Sequence, residues 1–378
     1  MQHTGILAKW IAAFFITTLL IWGATAMFTQ NYYPKTWSRE LARNVPVSGW
    51  SFSGRSEGWA ETHFGAQGLV GMGEKLPEGS KVLIWGDSFV EAFHVPDHEK
   101  MHRQLTEMLG DEPAGSSYTA VAMGQSWWSV ADHFFRIPEY ERLLGDVRLH
   151  VIHLFTLDDV YPDQYEGAKV SLFRSEPKLH FEKFDNEYSE IEPPAESQLF
   201  RDSVFRARLH YFLRLKNQIA SLLQLQGLRF SPGNHSGNTA GGEDHRDWDR
   251  LLDPEWVDDP APLDAWQFVL DSLRGATDAP ILFVYAPATP SVSEGEIVTR
   301  NPEASLAQSF GALCRQNEFG FINLENRFLE HWQENGAFHR GFHTSRPWEG
   351  HYNAEGHRIV AEAITQWIKE NPDVVHPD

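Results

Sequence analysis

The chain has 378 residues, room for two or three domains or for one large α/β domain with insertions. With 32 Lys and Arg against 52 Asp and Glu, its formal net charge is −20, which sets it against polyanionic partners, nucleic acid above all. Hydrophobic residues at 42% and charged residues at 22% exclude bulk disorder, and the single cysteine, Cys314, excludes an intrachain disulfide and any Cys-cluster metal site.

Lys9 is followed by an uncharged, mostly apolar run from Trp10 to Phe28. Those 19 residues span about 28 Å as a helix, close to the ~30 Å hydrocarbon core of a bilayer. Two leading readings stay open, a retained single-pass anchor or a signal peptide cleaved near Ala24-Thr25-Ala26; the terminal position and flanking charge argue against the third, a buried core helix. Both export the remainder of the chain to a periplasmic or extracellular location. Lys9 favours a cytosolic N-terminus, a bias that Lys35, Arg39 and Arg43 weaken. The expected organisation is an anchor or signal over 1–29, a linker and lead-in lobe over 30–80, and a main domain over 81–378 with a long insertion at 164–279.

The lead-in lobe is irregular and rich in Gly, Ser and Trp. Val82 to Trp85 then predicts a buried strand that stops at Gly86, and Glu99 to Leu109 a helix. Tyr118 to Met123 predicts a second strand, ending at Gly124, and Leu149 to Phe155 a third, ending near Asp158-Asp159. Inside the insertion, Glu196 to Leu225 predicts a long helix and Ser231 to Arg246 a polar loop, disordered or a lid. Ile281 to Tyr285 and the weaker Phe321 to Leu324 complete the strands. A last helix is expected from Ala354 to Glu370, with Asn353 as its N-cap and Val360, Ile364, Trp367 and Ile368 on one face. Strands alternating with helices imply a parallel sheet covered on both faces, with ligands at the carboxyl ends of its strands. Gly86-Asp87-Ser88, Gly124 and Asp158 fall at those ends.

A serine just past a strand, at a helix start, is exposed where backbone N–H groups favour a developing oxyanion. It needs a base, and His351 lies in Trp348-Glu349-Gly350-His351-Tyr352-Asn353, on the loop before the last helix. Glu349, two residues earlier, is positioned to orient the imidazole. Gly-Asp-Ser alone also fits a turn with a capping serine, and a single loop histidine fits a backbone hydrogen bond; the joint pattern carries the reading.

These segments resemble the SGNH (GDSL-like) hydrolase superfamily of esterases, lipases and acyl transferases. The resemblance implies a flavodoxin-like three-layer α/β/α sandwich. Gly86-Asp87-Ser88 matches the first block and makes Ser88 the nucleophile, whose own N–H also serves the oxyanion. Val121-Ala122-Met123-Gly124 matches the second and makes the Gly124 N–H an oxyanion donor. Glu349-Gly350-His351-Tyr352-Asn353 with Gly356-His357 matches the last and makes His351 the base. Leu157-Asp158-Asp159 occupies the third block, where the family has Asn-Asp. Asp158 donates to an oxyanion only as a protonated, buried acid, which Asp159 would help if close in space. Glu349 replaces the usual Asp.

Three functions follow: a membrane-anchored serine ester hydrolase, an O-acyltransferase acting on cell-envelope polysaccharide and served by a membrane acyl-donor protein, or a non-catalytic polysaccharide-binding scaffold. The substrate is an ester or an acylated carbohydrate. Trp127, Trp128 and Trp348 flank the motifs as sugar-stacking or acyl-pocket residues, with core packing as the alternative. No cofactor is expected. His235, Glu243, Asp244 and His245, like Asp158, Asp159 and Asp163, lack a metal-ligand spacing.

Overall fold

The structure is a computed structural model that describes residues 9–20, 35–41, 43–54, 57–110, 118–126, 128–160, 168–172, 179–183, 263–293 and 295–375. The expected helix 196–225 and loop 231–246 lie outside the described residues. A helix α1 covers residues 9–20. Among the described residues no helix is long and apolar enough to cross a membrane.

Two short antiparallel pairs open the lead-in lobe. They are β1 (Lys35–Ser38) with β2 (Arg43–Pro46), and β3 (Gly49–Gly54) with β4 (Trp59–Phe64). The second pair is a regular hairpin, with Gly49 opposite Phe64 and Gly54 opposite Trp59. This lobe was expected to be irregular; it is instead built onto the sheet. Val70 bridges Phe64 on one side and Ala122 of the edge strand on the other. The Lys100 ammonium, fully buried, ties the hairpin down by donating to Thr62 Oγ1 (2.7 Å) and pairing with Asp97 (2.8 Å).

The main domain holds β5 (Ser80–Gly86), α2 (Ser88–Glu91), α3 (Met101–Gly110), β6 (Tyr118–Gly124), α4 (Val130–Leu144) and β7 (Val147–Leu154). After a small hairpin, β8 (Ala168–Leu172) with β9 (Leu179–Lys183), come α5 (Leu263–Ala276), β10 (Ile281–Tyr285) and the pair β11 (Ser291–Ser293) and β12 (Glu296–Val298). The chain then forms α6 (Ala304–Gln316), β13 (Gly320–Asn323), α7 (Glu325–Asn335) and α8 (Ala354–Glu370). The five strands expected from the apolar runs form one parallel sheet in the order β13-β10-β7-β5-β6. Counted along the chain, that order is 2-1-3-4-5, the doubly wound arrangement whose switch point lies between its first and third strands, here β5 and β7.

Alternation along each strand divides the core. Val82 and Ile84 of β5 face a cluster with α2, α3 and α8, whereas Leu83 and Trp85 face α4, α5 and α6. The result is three layers, helices on both faces of the sheet. α5 was expected to belong to an insertion. Its Trp266, Val269, Leu270 and Leu273 are buried in the core, so residues 263–276 are part of the domain itself. α8 spans the predicted residues, and its N-cap Asn353 accepts from the N–H groups of Glu355 and Gly356, both at 3.1 Å.

Candidate active site

β5 ends at Gly86, and Asp87 caps the short helix that follows by accepting from the Phe89 N–H at 3.0 Å. Ser88 is therefore the first residue of α2, at the switch point. Its N–H, at a helix start, has no intrahelical acceptor. Gly124, at the end of β6, pairs in register with Gly86. A Cβ at Gly124 would lie 2.5 Å from the Glu91 nitrogen and 2.7 Å from the Asp87 carbonyl, so only glycine lets this strand end pack on the Ser88 turn. Glu91, three residues past Ser88, secures the same loop by accepting from Ser126 Oγ at 2.6 Å and from the Ser126 N–H at 3.3 Å.

The loop before α8 brings His351 across the strand ends to Ser88. His351 Nε2 lies 2.7 Å from Ser88 Oγ. Its neighbour Tyr352, with no exposed surface, anchors the loop: the phenol donates to the Ala286 carbonyl at 3.0 Å. The single phenolic proton being spent there, the 3.1 Å contact with His153 Nε2 takes its proton from the imidazole. Rings pack against His351 itself: Phe89 at 4.8 Å between centroids, and His94 stacked at 3.9 Å and 15°.

The third member is not the one expected from spacing. Glu57, at the tip of the β3–β4 hairpin, accepts from His351 Nδ1 at 2.7 Å and from the His351 N–H at 2.9 Å, both at one carboxylate oxygen. Glu349 instead pairs with Arg346 at 3.0 Å. Because a carboxylate only accepts, Nδ1 carries the imidazole proton and Nε2 is left as the acceptor of the Ser88 hydroxyl proton. Gly350 makes the approach feasible: its φ is +87°, and a Cβ there would lie 2.4–2.6 Å from the Glu57 carboxylate. The sequence signal for Glu57 was the flanking pair of short, aromatic-rich segments, Gly49–Gly54 and Trp59–Phe64, with glycines at the turn.

Other expected positions change role. Asp158, in the short 3-10 turn Leu157–Asp159, is exposed, so the burial required to keep it protonated is missing. Asp159 is the buried one, and it accepts from the N–H groups of Phe155 (3.2 Å) and Thr156 (3.3 Å). The perturbed carboxyl nearby is Glu303, whose pKa is pushed up to about 8 by burial, with the Asp158 charge acting in the same direction. Trp128 is buried beneath the Arg136 guanidinium, 3.9 Å from its ring centroid, and is a core residue rather than a stacking platform. Trp348 is half-buried and lies 6.1 Å from the Phe338 ring. Trp127 lies outside the described residues.

Glu57, His94 and His351 also form a group of metal-ligand types whose donor atoms lie within 4.8 Å of one another. The two imidazoles are nearly parallel, so their in-plane lone pairs do not converge on one point, and the donors suit a proton relay better than an ion. The arrangement can therefore activate a hydroxyl: nucleophile, base and orienting acid lie in one hydrogen-bonded line.

No protein-family model matches the chain, and no curated protein matches it. Among solved structures, it is similar to the acetyl xylan esterase AlAXEase at 14% identity and a TM-score of 0.37, over 76% of this chain and 98% of that one. A catalytic mutant of an acetylxylan esterase from Geobacillus stearothermophilus gives 11% identity and a TM-score of 0.37, over 78% and 96% of the two chains. An alpha/beta hydrolase from the metagenome of Lake Arreo, Spain, gives 13% and 0.34, over 77% and 95%. At these scores no functional conclusion rests on the likeness; the geometry of Ser88, His351 and Glu57 carries it instead.

Proposed function

We propose that the chain is an ester-bond hydrolase of the serine type, acting through an acyl-enzyme on Ser88. The observation that carries this reading is the unbroken relay, 2.7 Å from Ser88 Oγ to His351 Nε2 and 2.7 Å from His351 Nδ1 to Glu57. Ser88 attacks the ester carbonyl and its proton passes to His351. Glu57 stabilises the imidazolium and keeps Nε2 facing the serine. The oxyanion is assigned to the Ser88 and Gly124 N–H groups, both at the carboxyl ends of paired strands. Collapse expels the alcohol with the proton from His351. Water then gives a proton to His351 and attacks the acyl group, and collapse releases the acid as His351 passes that proton to Ser88 Oγ.

The reading extends to an SGNH-type enzyme, supported by the sequence blocks around Ser88, Gly124 and His351 and by the strand order. Two departures accompany it: the acid comes from an N-terminal hairpin, and Asp158 is exposed where the family places an oxyanion asparagine. The proposed substrate is an ester, with acylated carbohydrates as the class to assay first. The proposed location is outside the cytosol, tethered through the Trp10–Phe28 run. Supporting that is α1, which leaves Trp10 72%, Phe14 67% and Leu20 67% exposed, an apolar surface in need of a cover.

The test is covalent labelling by a fluorophosphonate, read by intact mass. One adduct on the wild type and none on Ser88→Ala is expected. An unlabelled wild type that is folded by circular dichroism would overturn the proposal.

A further inference from the structure

Beyond the triad, a second, small recess opens at the carboxyl ends of β7 and β10. Phe155, Pro287, Ala288 and Pro302 supply apolar wall. Arg340, Thr289 and Ser291 supply donors, and each is more than nine-tenths buried. Arg340 Nη2 donates to Ser291 Oγ at 3.1 Å, which leaves the Ser291 hydroxyl its own proton to give. Thr289 is 2% exposed, and its Oγ1 has no hydrogen-bonding partner among the described residues. Buried hydroxyls are rarely left in that state, and a ligand that accepts the proton removes the penalty.

The charge of the lining decides what class of ligand fits. Burial draws the Arg340 pKa down to about 10, which leaves the guanidinium cationic at neutral pH. The lining carboxyl, Glu303, is held protonated there by its own burial and accepts from the Tyr285 hydroxyl at 2.9 Å. The recess therefore presents a cation and hydroxyl donors to its contents, with apolar surface behind them. A planar guanidinium beside hydroxyl donors matches a carboxylate, and the apolar wall matches a short aliphatic tail.

We infer that this recess binds a short-chain monocarboxylate, its oxygens on Arg340 and Thr289 and its tail against Phe155. The recess adjoins the triad, because Phe155 stacks on Phe89, the residue after Ser88, at 4.0 Å and 14°. The acid released by ester cleavage belongs to the same chemical class. That link rests on the proposed hydrolysis; the binding itself does not.

Propionate titrated into the full chain carrying Ser88→Ala, followed by calorimetry and ligand-observed NMR, tests the inference. Saturable millimolar binding is expected, weakened about threefold to tenfold by Thr289→Val and lost in Arg340→Met, with no competition from the uncharged propionamide. Should Arg340→Met fail to fold, the near-isosteric Thr289→Val and the propionamide competition decide. Absence of saturable binding up to tens of millimolar, or binding indifferent to Thr289→Val and displaced by propionamide, would overturn it. Fluorophosphonate labelling of the wild type reports on the hydrolase reading separately, so either idea can fail while the other stands.

Discussion

Replacing Glu57 by glutamine separates the acid found in the structure from the one nearest in sequence. The change keeps size and removes charge. In the wild type one Glu57 oxygen takes both the Nδ1 proton and the backbone N–H of His351, at 2.7 and 2.9 Å. When His351 becomes an imidazolium, its charge centre lies about 4 Å from the carboxylate's. At an effective dielectric near 20 that attraction is worth about 4 kcal/mol, and at ~1.4 kcal/mol per tenfold it corresponds to roughly a thousandfold in rate. An amide that turns its NH2 toward Nδ1 would also invert the tautomer and remove the acceptor at Nε2, deepening the loss toward about ten-thousandfold. The expected result for Glu57→Gln is thus a fall in kcat of about 10³ to 10⁴ with KM nearly unchanged, measured on a chromogenic acetate ester. Glu349→Gln removes only an ion pair with the half-exposed Arg346 and should stay within about threefold of wild type. A Glu57→Gln variant within tenfold of wild type, or a Glu349→Gln variant as damaged as it, would refute this account of the site.

Three further outcomes are expected. Gly350→Ala places a methyl against the Glu57 carboxylate at a φ of +87°; it should cost about 1–3 kcal/mol of stability and reduce kcat much as Glu57→Gln does, and a fully active, equally stable variant would contradict the close approach. Burial keeps His102 and His339 well below the usual histidine range and lowers His133, His153 and His357 to about 3. The folded state thus holds all of them neutral, while the unfolded chain takes up protons below about pH 6.5, so stability is fully present above that pH and declines toward pH 3, by about 1.4 kcal/mol per histidine already at pH 5.5. A Tm that stays level between pH 7 and 5.5 would show that these side chains are not buried neutral. Trp128→Ala should lower stability by about 3–5 kcal/mol without changing KM for carbohydrate esters, because the ring lies under Arg136 and away from solvent; a selective rise in KM in a fully stable variant would restore it to a substrate surface.

Much of the scaffold was legible in the order of residues. Short apolar runs bounded by glycine or proline read as buried strands, and Asn353 before an amphipathic repeat marks where α8 starts. The position of Ser88 followed, since a residue just past a parallel strand sits at the sheet's carboxyl edge, and His351 was marked by its motif on the loop before the last helix. Local pattern could not settle which acid serves His351. Glu349 and Glu57 are both single glutamates in glycine-containing turns, and the partnership of Glu57 with His351 spans 294 positions. It exists because β4 is bolted to the core through Thr62 and Lys100, and because Gly350 leaves space for the carboxylate. Side-chain direction was equally hidden. Adjacent Asp158 and Asp159 point one outward and one inward, and Trp128 turns into the helix layer, choices made by the turn's backbone and the packing around it. Sequence by itself determined the strands, through local periodicity, and singled out Ser88 and His351, through short local motifs. The tertiary structure alone decided the third member of the relay and the lining of the neighbouring recess, because both depend on distant segments converging at one edge of the sheet.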